Sequence, residues 1–333
     1  MTGQVVYVKD RERRKNQFQF YMHQFVDACK EAGIPSKKEI VVTDFLKLGG
    51  IYRRLAYSLY QLRNRTSFDK AIIVTSRGAD LFANAAPYFL HYEIIPMLWD
   101  VWPETWGKLF HWFDILHVRT VLVTVKSFAE EIRKRSDIHA IWIPEGIEVA
   151  PYKAGPSLVD RQFDVYELGR QHPKYHKALD SLDRVGVLHG YFHNIVGQDG
   201  KLVKLAFPSN DEMYDALPQI KVVVNFPKVD TEPQYAGGLE TLTQRYWEAM
   251  LCKCLIVGRA PKELTELAKY NPVIDVDWNN PEHQLLDILS HLSDYQFLVD
   301  KNYELAMLLA SWNSRMNFIF DKLGQLGYKI SRI

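Results

Sequence analysis

The sequence predicts an α/β chain made of two Rossmann-like, doubly wound domains facing a cleft. Three observations carry this. Short β-branched runs recur, each followed by a helical pattern. Several of these runs are apolar at consecutive positions, as strands covered on both faces are. A stretch rich in proline and glycine interrupts the alternation near the middle, and 333 residues suit two domains at roughly 150 residues each.

In the first half, Gln4–Val8, Glu39–Thr43, Ala71–Thr75, Ile94–Leu98, Val121–Val125 and Ala140–Ile143 read as strands. Phe18, Tyr21, Phe25, Ala28 and Ala32 fall at helical spacing, and Gly33 provides a stop. The segment Pro144–Pro156 holds three prolines and two glycines in thirteen residues, and it reads as an interdomain linker. After it, Phe163–Leu168, Val185–His189, Lys221–Phe226, Cys254–Val257 and Pro272–Val276 are strand-like. Leu305, Leu308, Leu309, Trp312, Met316, Ile319 and Leu323 mark a long helical tail. The expected domains are 1–148 and 149–311, with a last helix over about 312–333 packing back on the first.

Composition narrows the function classes. Forty-one basic and 40 acidic side chains leave a charge of +1, so no global field favours nucleic acid. Cys29, Cys252 and Cys254 are too few and wrongly spaced for a disulfide framework or a zinc knuckle. No run approaches the roughly 18 apolar residues of a membrane span, and the N-terminal apolar run precedes the basic one, the reverse of a signal peptide. The expectation is a soluble cytoplasmic protein, with the basic Arg11–Lys15 run offering weak peripheral contact at the inner face of a membrane. The eleven histidines form no metal spacing; His189 and His193 read as structural or acceptor-side groups, and no metal or other cofactor is expected.

Ligands of open α/β sheets bind at the carboxyl ends of strands, so the loops there matter most. The chain has no G-x-G-x-x-G, no Walker loop, no H-E-x-x-H and no G-x-S-x-G, which weighs against dehydrogenases, P-loop NTPases, zincins and serine hydrolases. The informative stretch is Tyr235–Val257. A helix capped by Thr243 leaves the amides of Gln244, Arg245 and Tyr246 without helical partners, a ready phosphate site. Gly237 and Gly238 allow close backbone approach to a ligand. Glu240 precedes the helix and Glu248 lies in its second turn, each able to accept hydrogen bonds from sugar or ribose hydroxyls.

Glu240 and Glu248 are separated by seven residues, the E-x7-E spacing of retaining glycosyltransferases. Glu248-Ala-Met-Leu before a strand, the I-P-E-G-I-E-V linker and the Leu168-Gly169-Arg170 strand end all resemble, in the expected order, the group 1 glycosyltransferases of family 4, which have the two-domain GT-B fold. The charged Lys9–Arg14 loop stands where that family carries glycines. The resemblance implies metal-independent, retaining sugar transfer from a UDP- or GDP-linked donor to a glycan, lipid-linked or small-molecule hydroxyl. It places Glu240 on the donor sugar, Glu248 on the ribose, and Gly169 and Arg170 at the diphosphate, with Lys174 or Lys177 as partner cation. Arg245 adds a cation at the helix end. Asp100, in Leu98–Pro103, occupies a strand end where the family carries polar site residues, and it is expected to touch sugar or acceptor. Two alternatives remain: a nucleotide-sugar 2-epimerase of the same fold, and a non-catalytic nucleotide-sugar-binding protein.

Overall fold

The structure is a computed structural model that describes residues 3–11, 20–38, 55, 57–58, 60–61, 68–197 and 202–330. The chain divides into two compact units, Met1–Ile147 with Trp312–Ile333, and Glu148–Ser311. The first carries β1 (Gln4–Asp10), β2 (Ser36–Lys38), β3 (Lys70–Arg77), β4 (Glu93–Trp99), β5 (Thr120–Val123) and β6 (His139–Trp142). The second carries β7 (Phe163–Glu167), β8 (Tyr191–Phe192), β9 (Ile195–Val196), β10 (Leu202–Lys204), β11 (Ile220–Asn225), β12 (Leu255–Gly258) and β13 (Ile274–Asp275). The chain then returns to the first unit with β14 (Tyr328–Lys329).

The first sheet runs β14-β1-β3-β4-β5-β6, with β2 beside β1, and every pairing is parallel. All seven residues of β4 and all four of β5 are buried, which is why both strands are apolar without alternation after their first residues, Glu93 and Thr120. One helix, Phe20–Glu31, lays Met22, Phe25, Val26 and Cys29 into the core. The closing helix, Asn313–Gln325, adds Met316, Ile319, Phe320 and Leu323 to the same core, and Trp312 meets Phe25 edge-on at 5.3 Å. Arg315 is buried in this unit, where its Nε donates to the Pro144 carbonyl at 2.6 Å and Nη2 to that of Glu145 at 3.0 Å. Burial pulls its pKa down to about 10.

The second sheet runs β8-β7-β11-β12-β13, again all parallel, with β9 and β10 as a separate antiparallel hairpin. Its core joins Val165, Val222, Val224, Leu255 and Val257 from the strands to Tyr175, Leu179, Leu285 and Val299 from helices.

Several expected elements differ. Val185–His189 is no strand: the helix Pro173–Arg184 ends at Val185, Gly186 turns at φ +70°, and Val185 and Val187 are exposed. The strand is Tyr191–Phe192, which finds Val165 and Tyr166 of β7 as partners. The helical tail is two helices, Gln296–Leu309 and Asn313–Gln325, because Ala306 and Ile319 serve the cores of different units. The strand expected at Glu39–Thr43 lies outside the described residues, as do residues 12–15 of the basic run; β2 ends at Lys38.

Candidate functional site

In the second sheet the chain passes from β7 to β8 on one side and returns to β11 on the other. The carboxyl ends of β7 and β11 therefore flank a topological switch point, where open α/β sheets bind ligands. β7 delivers Leu168, Gly169 and Arg170 to this point. Gly169 holds φ +95°, a region that L side chains rarely adopt, and a Cβ placed on it would lie 2.0 Å from Arg245 Cζ. The Arg245 guanidinium thus rests directly on the Gly169 backbone, and two residues 76 positions apart in expectation become neighbours. Arg170, Arg245 and Arg259 all bear electrostatically on the buried Tyr246 phenol, whose hydroxyl donates to the Arg259 carbonyl at 2.7 Å. Burial nevertheless dominates and keeps that phenol protonated, its pKa raised well above the usual value.

The helix Gln244–Leu251 starts where the sequence expects, with Thr243 extended at φ −118°. The Thr243 side chain makes no capping bond, and the Tyr246 amide donates to the Thr243 carbonyl at 3.3 Å, so one of the three amides expected to await a ligand is engaged. Upstream, the short helix Pro233–Ala236 ends in two left-handed glycines, Gly237 at φ +57° and Gly238 at φ +81°, and a Cβ on Gly238 would meet nothing.

The two glutamates sit in different settings. Glu240 Oε1 accepts from Arg259 Nη1 at 2.8 Å, and Oε2 accepts from the Lys262 amide at 3.0 Å. Arg259 also grips Asp230 through Nε at 2.6 Å and Nη2 at 2.9 Å. Glu240 is therefore a fixed carboxylate; with about four acceptor directions on such a group, two remain for hydroxyls. Glu248 is buried, and the Tyr152 hydroxyl donates to its Oε1 at 3.1 Å. Burial raises its pKa, opposed by the charge of Arg245 and the Tyr152 bond.

The lysines separate. Lys174 Nζ donates to the Trp278 carbonyl at 2.7 Å and lies over the Trp278 ring, while Lys177 is exposed on the next turn. His172 stacks near Trp278 and Phe226, with ring centroids at 4.5 and 5.0 Å. Asp164, near the start of β7, is paired with Lys221 at 2.7 Å. In the first unit, Asp100 follows β4 in a left-handed conformation at φ +50° and pairs with Arg77 at 2.5 Å. Sequence reasoning missed Arg259, Asp230 and Tyr152. Arg259 had a signal, being a cation one residue past a strand end; Tyr152 had none, since it sits within a linker.

No protein-family model and no curated protein matches the chain. Solved structures do resemble it. HepE from Anabaena, in complex with UDP and glucose, aligns at TM-score 0.61 with 11% identity, over 97% of this chain and 100% of that one. A glycosyltransferase from Rickettsia africae aligns at TM-score 0.55 with 10% identity, over 98% and 99%. A protein named as a UDP-N-acetylglucosamine 2-epimerase, from Listeria monocytogenes, aligns at 0.53 with 11% identity, over 97% and 96%. These likenesses show the fold: two Rossmann-like units of the GT-B type. Among the described residues, no helix is long and apolar enough to cross a membrane.

Proposed function

We propose that the protein is a glycosyltransferase that moves a sugar from a nucleoside diphosphate donor to an acceptor hydroxyl, with retention. The observation that carries this reading is the Gly169–Arg245 contact at the switch point, with Arg170 next in the chain. The missing side chain at Gly169 lets the Arg245 guanidinium fork seat at the strand end beside Arg170, where a diphosphate can meet both cations. In the proposed step the bond from the anomeric carbon to the diphosphate oxygen breaks, and the acceptor oxygen bonds to that carbon from the same face. The acceptor proton passes to the departing phosphate oxygen. Arg170 and Arg245 stabilise the charge that grows on that oxygen, with Lys174 or Lys177 as a third cation. Glu248 receives ribose hydroxyls, Glu240 receives sugar hydroxyls, and Asp100, carried by the first unit, contacts sugar or acceptor. UDP or GDP is the leaving group, and side-chain cations take the place of Mg²⁺.

An epimerase reading draws on the Listeria neighbour. It would consume donor without acceptor and return the C2 epimer. Kinetics on Arg170 variants test the transferase step. Arg170→Ala should lower turnover at least tenfold, about 1.4 kcal/mol of barrier, and weaken donor binding by less. Arg170→Lys should recover only part, since it lacks the bidentate fork. A change confined to the Michaelis constant for donor would leave Arg170 as a holding group and shift the stabilising role to Arg245.

A further inference from the structure

Two residues before Gly169, at the end of β7, the Glu167 carboxylate is 1% exposed. Its Oε2 accepts from the Tyr191 hydroxyl at 2.5 Å and faces His176 Nδ1 at 2.5 Å. Its Oε1 is buried with no hydrogen-bond partner. A buried carboxylate oxygen left unmatched costs free energy, so its retention asks for a reason. Two imidazoles surround it. His176 comes from the first turn of the helix Pro173–Arg184, and His193 follows β8, with ring centroids 5.0 Å apart. One ligand atom from each of Glu167, His176 and His193 falls within 4.8 Å of the other two.

We propose that Glu167, His176 and His193 form a binding site for a divalent transition ion of the zinc type. Two imidazole nitrogens and one carboxylate oxygen are a borderline-soft donor set that suits Zn²⁺ over Mg²⁺ or Ca²⁺. Tetrahedral zinc sets its ligand atoms about 3.3 Å apart. Binding would therefore open the 2.5 Å contact of His176 Nδ1 with Glu167 Oε2 by side-chain rotation, and the proton shared there would pass to solvent as the ion takes its place. Outer partners stand nearby. His193 Nδ1 lies 3.1 Å from the Asn194 carbonyl and 3.2 Å from Gln171 Nε2; in the tautomer protonated on Nδ1 it donates to that carbonyl, which leaves Nε2 as the ligand atom. Gln171 Nε2 donates to the same carbonyl at 2.8 Å. His176 Nε2 lies 3.8 Å from Asp180 Oδ1, too far for a hydrogen bond as it stands. A small ring rotation would bring that carboxylate to bear on the imidazole, as metal-bound histidines require. The Tyr191 hydroxyl holds Oε2, leaving Oε1 for the ion, and its ring stacks on His193 at 4.7 Å. His193 thus belongs to a metal set that its spacing from His189 along the sequence concealed, because Glu167 and His176 arrive from β7 and the following helix. The ion would lock β8 and the start of that helix to the strand that presents Gly169 and Arg170.

The test needs no nucleotide and no turnover, so its outcome is independent of the transferase reading. Full-length protein is stripped with a chelator and titrated with Zn²⁺ by calorimetry and with Co²⁺ by visible absorption. The expected result is one equivalent of ion, intense four-coordinate cobalt bands and a raised melting temperature. His193→Ala and His176→Asn, each checked for folding by circular dichroism, should both lose the one-equivalent isotherm, and Gln171→Ala should weaken it about tenfold. If the native protein takes up no Zn²⁺ or Co²⁺ at micromolar free ion, the site does not exist, whatever the variants do. Uptake that is unchanged in folded His193→Ala or His176→Asn places the ion elsewhere and equally overturns the proposal.

Discussion

Glu248 opposes stability at the position proposed to receive the ribose hydroxyls. The carboxylate is buried, burial raises its pKa, and Arg245 and Tyr152 only partly offset that cost. A carboxyl whose folded pKa is raised contributes stability below its unfolded value, near pH 4.5, and loses it as pH rises through the folded value. At neutral pH the ionised group therefore destabilises the fold. Glu248→Gln should raise the melting temperature by a few degrees while weakening nucleotide affinity by about 1.5–3 kcal/mol. Scanning calorimetry with and without UDP reads both, and a variant that is less stable with unchanged affinity would remove Glu248 from the site. His172 supplies a second residue-scale expectation. Burial lowers its pKa, and its Nδ1 has no hydrogen-bond partner. A histidine with a depressed folded pKa costs stability as pH falls below the unfolded value of about 6.5 and through the folded one. His172→Phe, which keeps the packing against Trp278 and Phe226, should flatten the loss of stability between neutral and mildly acidic pH; an unchanged pH profile would contradict it.

Among the elements, the β7 corner carries the account. Gly169→Ala places a Cβ where Arg245 now lies and forces a strained backbone, at about 1–3 kcal/mol for the conformation alone. The variant should melt lower and bind nucleoside diphosphate at least tenfold more weakly. If it binds normally, the corner is not the diphosphate seat. This corner was legible as Leu168-Gly169-Arg170, and so were the central strands, because parallel strands buried on both faces print their burial as runs of Ile, Val and Leu. The partner of Gly169 was not legible: Arg245 reaches it only through the β7–β11 crossover. The Val185–His189 misreading has the same origin. Its letters favour a strand, but pairing with β7 falls to Tyr191–Phe192, and a strand exists only where it finds a partner. Likewise, E-x7-E spacing was visible, whereas the clamp of Arg259 on Glu240 and Asp230 needed the loop geometry.

For the whole molecule, the chain leaves the first unit at Ile147 and re-enters it at Trp312. Trp312, Met316, Ile319, Phe320, Leu323 and Tyr328 are buried in its core. Burying six such side chains stabilises by about 9–18 kcal/mol, on the order of a domain's entire stability. A chain ended after Ser311 should therefore lose the first unit's cooperative melting, while calorimetry still detects the second; two intact transitions would contradict this. The proposed side-chain cations at the diphosphate also imply that added Mg²⁺ or Mn²⁺ leaves turnover within a factor of about two. Strict dependence on either ion would refute the cationic account of leaving-group stabilisation.

The central claim, that the β7–β11 switch point seats a nucleoside diphosphate sugar, is met most directly by titrating UDP-glucose and GDP-linked sugars into the native protein and into Arg245→Ala by calorimetry. One site per chain for one of these donors, weakened at least tenfold in the variant, is the predicted result. A native protein that binds neither, or a variant that binds as tightly as the native chain, would contradict it.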